Sequence, residues 1–439
     1  MFDPVRFRYS FAGAMLAGEW TAPALAAVLK SHTEDRPVRV PGLVPRILKA
    51  FPTPPAFIQL VAFLYDDRGM SRAAEKMAAL PSWRKFRAAP LVMDAPPPRM
   101  GALAIPAITN EAALAAWLGV PLRKLLWYAD TSGRNRRHPC GPLRTYGHRW
   151  VSKGGGRSRL LEIPKPRLKK IQRRILADIL NAIPPHDAAH GFRPGRSIVT
   201  NAGPHCGKRL VLRFDLADFF PSVSSARVFH TFRTVGYPVA VARLLTGLCT
   251  TRLPSDAWDA RPNPRPDDHA TWQRLASRHL PQGAPTSPAL ANLAAFRLDR
   301  RLAKLAACAD AEYTRYADDL TISGGEELAR RAKRLTVLVG AIAAEEGFAL
   351  NHRKTRAMRR GQRQRVAGVV VNAKPNTPRA EFDTLKATLT NCARHGPASQ
   401  NRGGVPDFRA HLAGRVSHVA SVNPVRGRKL WALLDRVKW

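Results

Sequence analysis

Apolar and polar positions follow two different periods along this chain, helical first and mixed later. Over residues 1–93 the apolar positions recur three and four apart in short runs punctuated by proline. They predict helices at Ala22–Lys30, Pro41–Ala50, Pro55–Tyr65 and Ser71–Ala79, the last capped by Ser71. The stretch Asp94–Pro106 (DAPPPRMGALAIP) has the composition of a linker. Thr109 or Asn110 then caps a helix running to Leu118; Gly119 breaks it, and Pro121 opens a second helix through Ala129. Two packed helices around a glycine turn are read here as plain structure rather than as a DNA-reading pair. The basic, Gly-rich residues 131–160 predict a hairpin around Lys153–Arg159, followed by a helix at Leu168–Leu180.

Beyond residue 206 strands and helices mix. A strand at Arg209–Asp215 precedes helices at Ser224–Val235 and Val239–Leu248, a Pro- and Asp-rich loop over 254–270, and a helix at Pro288–Leu305. Then come a hairpin at Tyr313–Ser323, a helix at Glu326–Glu346, and short strands at Phe348–Asn351 and Arg365–Asn372. The closing stretch is helical and basic. Mixed elements joined by tight turns predict an α+β domain around an antiparallel sheet, preceded by a small helical N-terminal region.

Composition changes the picture in one respect: 71 Lys+Arg face 32 Asp+Glu over 439 residues, a formal charge of +39. Only 17 of the cations are Lys and 54 are Arg, a bias that GC-rich coding accounts for. It does not account for the shortage of acids, and a polyanionic partner, nucleic acid, follows. With 45% hydrophobic residues the chain is no disordered basic tail. No apolar run approaches the ~18–20 residues of a membrane span, and the patch Phe11–Gly18 is flanked by Asp3 and Glu19, which makes a poor signal peptide. The cysteines (Cys140, Cys206, Cys249, Cys308, Cys392) are scattered, and neither His138 with Cys140 nor His205 with Cys206 has a partner pair at zinc-finger spacing. Reduced, structural thiols in a cytoplasmic protein are expected.

The acids carry the chemistry. Leu210–Asp215 (LVLRFD) is a β-rich run ending in an aspartate, with Asp218, Phe219 and Phe220 just beyond. In Tyr313–Ser323 (YTRYADDLTIS) β-formers flank Asp318-Asp319 and set the pair at a hairpin tip. Two other Asp-Asp pairs serve as controls: Asp66-Asp67 before a glycine and Asp267-Asp268 in a Pro-rich loop read as solvated turns. Carboxylates crowded at a partly buried hairpin repel one another unless cations neutralise them. Two Mg²⁺ ions ~3.5–4 Å apart, bridging one acid from the first strand and two from the hairpin, meet that need. One would sharpen a 3′-hydroxyl nucleophile and the other would hold the triphosphate and departing pyrophosphate.

These motifs resemble those of reverse transcriptases, and specifically the bacterial retron group. FDLADFF (Phe214–Phe220) resembles the first palm motif, and LPQGAPTSPALAN (Leu280–Asn292) the motif behind the nascent base pair. YADD (Tyr316–Asp319) resembles the signature hairpin, LNHRKT (Leu350–Thr355) the lysine motif, and GRSRLLEIPKPRLKKIQ (Gly156–Gln172) the fingers motifs. The resemblance spans about residues 110–439 and implies a right-hand polymerase: fingers 140–205, reached through a linker and helix pair at 94–139, palm 206–372 and thumb 373–439. It also implies roles. Asp215, Asp318 and Asp319 match the metal-binding triad, with the Leu216 carbonyl as an extra ligand. Phe220 matches the residue that packs under the sugar and rejects a 2′-hydroxyl. Gln282 and Gly283 match residues against the incoming nucleotide. Arg159, with Lys153 and Arg157 able to share the task, matches a triphosphate grip. Lys354 matches a proposed proton donor to pyrophosphate.

Two further stretches point to retrons. NAGPH (Asn201–His205) fits their Asn-Ala-x-x-His pattern, and Gly414–Arg436 resembles their thumb end, where Arg415, Arg426, Arg428 and Lys429 are candidate RNA contacts. Val366-Ala367-Gly368 departs from the group's Val-Thr-Gly at the middle position. The resemblance implies dNTP substrates and a cognate structured noncoding RNA of the msr–msd type. It further implies priming from a guanosine 2′-hydroxyl, a branched RNA–DNA product (msDNA), and anti-phage defence with an effector protein. Other expectations from the same motifs are a different defence-associated reverse transcriptase, a group II intron maturase, or an RNA-binding scaffold restraining a toxin.

Overall fold

The computed structural model describes residues 4–33, 40–78, 93–94, 103–134, 141–152, 158–262 and 269–439. It divides into two compact units. One comprises Met1–Pro98, Ala107–Leu125 and Phe232–Leu245; the other comprises Arg99–Pro106, Leu126–Thr231 and Thr246–Trp439. The division does not fall at residues 93 and 139: Ala107–Leu125 and Phe232–Leu245 group with the N-terminal helices.

The first unit is built from α1 (Pro4–Ala17), α2 (Ala22–Thr33), α3 (Leu43–Ala50), α4 (Phe57–Asp66) and α5 (Arg68–Ala78). The apolar patch at Phe11–Gly18 proves to be the second half of a helix. Phe11, Ala12 and Met15 are buried with Leu25, Ile47, Leu60 and Leu64. The last helix starts at Arg68, three residues earlier than Ser71 indicates. Asp67 Oδ1 accepts the Met70 amide at 2.8 Å, while Ser71 donates to the Tyr65 carbonyl instead. Arg46 holds the Asp67 carboxylate at 2.7 Å and keeps its pKa below the usual range. One of the supposed solvated turns is therefore a helix cap. The helices α6 (Glu111–Leu118) and α7 (Leu122–Ala129) follow, with Asn110 accepting the Ala113 amide at 2.8 Å and Gly119 at φ 68° between them.

In the second unit β1 (Tyr146–Ser152) and β2 (Ser158–Pro164) form the antiparallel hairpin expected there. Lys153 and Arg157, between the two strands in sequence, and His138 and Cys140 before them, lie outside the described residues. Next come α8 (Pro166–Asp178), α9 (Ile198–Ala202), β3 (Leu210–Ala217) and α10 (Ser225–Thr234), whose last three residues, like most of α11 (Val239–Cys249), belong to the first unit. The segment 254–270, expected as a loop, contains α12 (Ser255–Asp259) and the start of α13 (His269–Ala276), where tryptophans supply an apolar face. The single helix expected at Pro288–Leu305 is two, α14 (Ser287–Ala294) and α15 (Phe296–Ala307), joined at Ala295.

The remaining elements are β4 (Ala311–Tyr316), β5 (Asp319–Gly324), α16 (Glu326–Glu345), β6 (Ala349–Leu350), β7 (Arg356–Arg359), β8 (Arg365–Val366) and β9 (Val369–Val370), and then α17 (Arg379–His395), α18 (Phe408–Val422) and α19 (Pro424–Leu434). The main sheet runs β4-β5-β3-β6, with β7 also paired to β3, and all pairings are antiparallel. Val366-Ala367-Gly368 turns the small β8–β9 hairpin with Ala367 at φ 47° and Gly368 at φ 89°. A two-residue loop with both φ positive is the hairpin connection that suits strand twist. The last three helices bury Leu385, Leu389, Leu412, Val416 and Leu430 among themselves. Cys206, Cys249, Cys308 and Cys392 are free thiols. Among the described residues no helix is long and apolar enough to cross a membrane.

Candidate active site

β-pairing brings the three acids together. Asp215 near the end of β3 lies directly across from Asp319 at the start of β5, and Asp318 sits in the two-residue turn between β4 and β5. The Leu216 amide donates to the Asp318 carbonyl at 2.9 Å, tying that turn to β3. Burial raises the Asp318 pKa above the ordinary range, and the Asp215 charge adds to it. Asp319 is raised too, chiefly by burial, against the opposing pull of Arg213. That guanidinium grips both Asp319 oxygens, at 2.7 and 2.8 Å. Lys354 Nζ donates to Asp215 Oδ2 at 2.7 Å, so this lysine is the counter-ion of an aspartate rather than an unengaged proton donor.

Among the described residues no group of three or more His, Cys, Asp or Glu is gathered as a ready cation cage. The residue types nevertheless fit hard divalent cations: Asp215, Asp318 and Asp319 offer carboxylate oxygens, and burial together with the neighbouring carboxylates disfavours the charged forms of Asp318 and Asp319.

The turn that presents Asp318 is held from behind. Ala317 has φ 56°, a strained conformation for a residue with a side chain. Arg315, 0% exposed, donates to the Ala317 carbonyl at 3.0 Å and to Asn292 Oδ1 at 2.9 Å. Its guanidinium also forks onto Asp299, itself 0% exposed, at 2.8 and 2.6 Å, and the Tyr313 hydroxyl donates to the same carboxylate. Asn292 in turn donates to the Gly191 carbonyl at 2.9 Å, and a Cβ on Gly191 would stand 2.6 Å from the Ala317 nitrogen. Only glycine lets residue 191 approach the hairpin so closely.

A cavity of about 700 Å³ opens in front of the acids, lined by Asp215, Asp318, Arg159, Phe220 and Gln282 among others. Phe220 also lines a second groove of about 400 Å³ with Lys169, Arg173 and Gly283. Gly283 itself is not on the main cavity. Its φ is 136°, and a Cβ there would meet the Glu162 carbonyl at 2.9 Å, so this glycine serves the docking of its loop on β2. The Glu162 amide donates to the Gln282 carbonyl, and the Glu162 carboxylate pairs with His279 at 2.9 Å, both side chains 1% exposed.

The expected RNA contacts divide. His205 is 0% exposed, with Nδ1 2.6 Å from Ser323 Oγ and Nε2 2.7 Å from Thr314 Oγ1, and burial lowers its pKa to about 3. Asn201 is equally enclosed, and its carbonyl accepts from Thr314. Both are corrected here from RNA ligands to braces on the β4–β5 hairpin. Arg426 is engaged as well: it donates to Asn376 Oδ1 and the Thr377 carbonyl and lies 4.6 Å over the Phe382 ring. Arg428 and Lys429 are exposed on α19 and Arg415 is half-buried on α18, so these three keep a surface on which a phosphate backbone can lie.

Residues 151–382 match the family described as Reverse transcriptase (RNA-dependent DNA polymerase). The Retron Mx65 reverse transcriptase of Myxococcus xanthus is 42% identical over 74% of this chain and 71% of its own length. The chain belongs to the retron reverse transcriptases. The Retron Mx162 reverse transcriptase of the same organism is 35% identical over 75% of this chain and 67% of its own length. The Retron Ec86 reverse transcriptase of Escherichia coli is 29% identical over 66% and 80%. This retron reverse transcriptase is an RNA-directed DNA polymerase of α+β, right-hand architecture, and its family uses divalent metal ions, dNTPs and an RNA template.

Several working residues escaped the sequence. Arg213 had a signal: two positions before Asp215 on one strand, it shares that residue's face. Arg315, Asp299 and Asn292 had none, because only folding brings residues from different elements around one guanidinium.

Proposed function

We propose that this enzyme copies part of a cognate, msr–msd-type noncoding RNA into single-stranded DNA, leaving a branched RNA–DNA molecule, and serves anti-phage defence in the cytoplasm with an effector protein. The observation that carries the polymerase site is the juxtaposition of Asp215 with Asp319 across two strands, Asp318 beside them, on a cavity that also holds Arg159, Phe220 and Gln282. Residues 140–205 act as fingers, 206–372 as palm and 373–439 as thumb. Asp215, Asp318 and Asp319, with the Leu216 carbonyl, would hold two Mg²⁺. Bound there, the ions supply charge neutralisation for a 3′-hydroxyl attacking the α-phosphorus and for the departing pyrophosphate.

The chain's own groups do the rest. Arg159 faces the triphosphate, and its planar fork suits phosphate oxygens. Phe220 closes the sugar side, where its ring excludes a 2′-hydroxyl. Arg213 keeps Asp319 oriented by a two-pronged grip, and Lys354 holds Asp215 through its Oδ2 until substrate arrives. Arg415, Arg428 and Lys429 form a thumb surface for structured RNA, recognised through phosphates and 2′-hydroxyls. Retron relatives and the exposed thumb cations support the specific template; the defence role and the effector rest on the resemblance alone. Purification from cells carrying the locus tests the product. A covalently branched RNA–DNA molecule is expected to co-purify, resistant to separation by denaturation and reduced to DNA by ribonuclease. Linear cDNA alone would assign the enzyme to another branch of defence reverse transcriptases.

A further inference from the structure

Two arginines of the nucleotide cavity, Arg261 and Arg274, come from none of the recognised motifs. Arg274 sits on α13, and its Nη1 donates to Asp218 Oδ2 at 2.8 Å. Both line the cavity that holds Asp215, Asp318, Arg159 and Gln282. Asp218 follows β3 in a turn where its own φ is 48°. The two side chains are 34% and 38% exposed, and an ion pair so wet contributes only about 0–1 kcal/mol. Such a pair exchanges readily. A triphosphate offers several anionic oxygens where Asp218 offers two, and charge-assisted forks onto phosphate are the stronger bonds.

The platform under Arg274 is firm. Leu275 next to it packs with Leu160, Leu253 and Trp258. Trp150 Nε1 donates to the Ala257 carbonyl at 3.0 Å, and the Trp258 ring lies 6.0 Å from Trp150 and 5.2 Å from Trp272. Arg144 bonds Asp256 at 2.8 Å. The strand that contributes Leu160 to this cluster also carries Arg159, so the two arginines share one packed body and only the Arg274 side chain has to turn.

We propose that Arg274 is a triphosphate ligand held in waiting by Asp218. The carboxylate occupies the guanidinium until the terminal phosphates of an incoming dNTP replace it, and departure of pyrophosphate returns it. The proposal deepens the reading above and rests on the catalytic acids being Asp215, Asp318 and Asp319.

Single-nucleotide incorporation on a primed RNA template, with dNTP titrated, tests it. Arg274→Ala is expected to raise KM for dNTP about tenfold, as loss of a charge-assisted hydrogen bond does, with a much smaller change in kcat. It should desensitise the enzyme in parallel to phosphonoformate, a pyrophosphate analogue, and Arg274→Lys should recover part of both effects. Asp218→Asn keeps a side chain that tolerates the left-handed turn, frees Arg274, and is expected to lower KM about two- to threefold. The opposite signs are decisive. A fixed strut between α13 and β3 would be loosened by either change, so KM rising in both, or moving in neither, overturns the proposal. Asp318→Asn in the same assay separates the two readings. Retained synthesis there removes the site assignment, whereas its loss alongside an unmoved KM in Arg274→Ala removes only the role of Arg274.

Discussion

The β4–β5 hairpin and the α12–α13 segment both face the nucleotide cavity, but they are held by different physics. Behind the hairpin, Arg315 and Asp299 are wholly buried and bonded to each other, to Tyr313, to Asn292 and to the backbone of the turn. At α13 the corresponding charge, Arg274, is a third exposed and held by Asp218. A buried pair cannot be broken without stranding a charge in low dielectric, whereas a wet pair trades partners at little cost. The contrast matches the two tasks. Groups that aim catalytic carboxylates need one geometry, while a group that receives and releases phosphate needs two.

The sharpest way to break the comparison is at the hairpin tip. Asp318→Ala is expected to reduce primer extension to background while leaving RNA affinity within about twofold, read by gel extension and filter binding. Residual synthesis near wild type would mean that the acids are not the centre. The next largest effect lies behind the turn. Arg315→Met leaves Asp299 buried without its partner and should cost about 3–5 kcal/mol of stability in thermal or urea unfolding. An unchanged melting temperature would show that the hairpin does not depend on that guanidinium.

The smallest effect is a pH dependence of the same hairpin. His205 joins Thr314 on β4 to Ser323 on β5 in its neutral form, with its pKa lowered from 6.5 to about 3 by burial. A lowered pKa means that the unfolded chain binds the proton more readily. The stabilisation is therefore complete above the unfolded value and is lost as pH falls from 6.5 toward 3, about 2 kcal/mol of it by pH ~5. The variant His205→Gln, less stable at neutral pH, should show a shallower loss between pH ~7 and ~5; an equal slope would assign the acid sensitivity to other groups.

Local pattern and spacing determined much of this protein. Asn110 and Gly119 mark their helix ends, β-formers mark both aspartate-bearing segments, and the ordered motifs carry the resemblance that points to Asp215, Asp318 and Asp319. Pattern fails where an apolar face is made of a few tryptophans in a polar setting, as at Trp258 and Trp272, and where a short apolar patch, as at Phe11, does not by itself mark the helix it belongs to. What the tertiary structure alone decided is partnership. It turned His205 and Asn201 from RNA contacts into hairpin braces, gave Lys354 an aspartate to neutralise, and set Gly283 against Glu162. It also paired Arg274 with Asp218, 56 residues away along the chain. Burial and the geometry of a side chain's neighbours arise from contacts between distant segments, and no local window of sequence contains them.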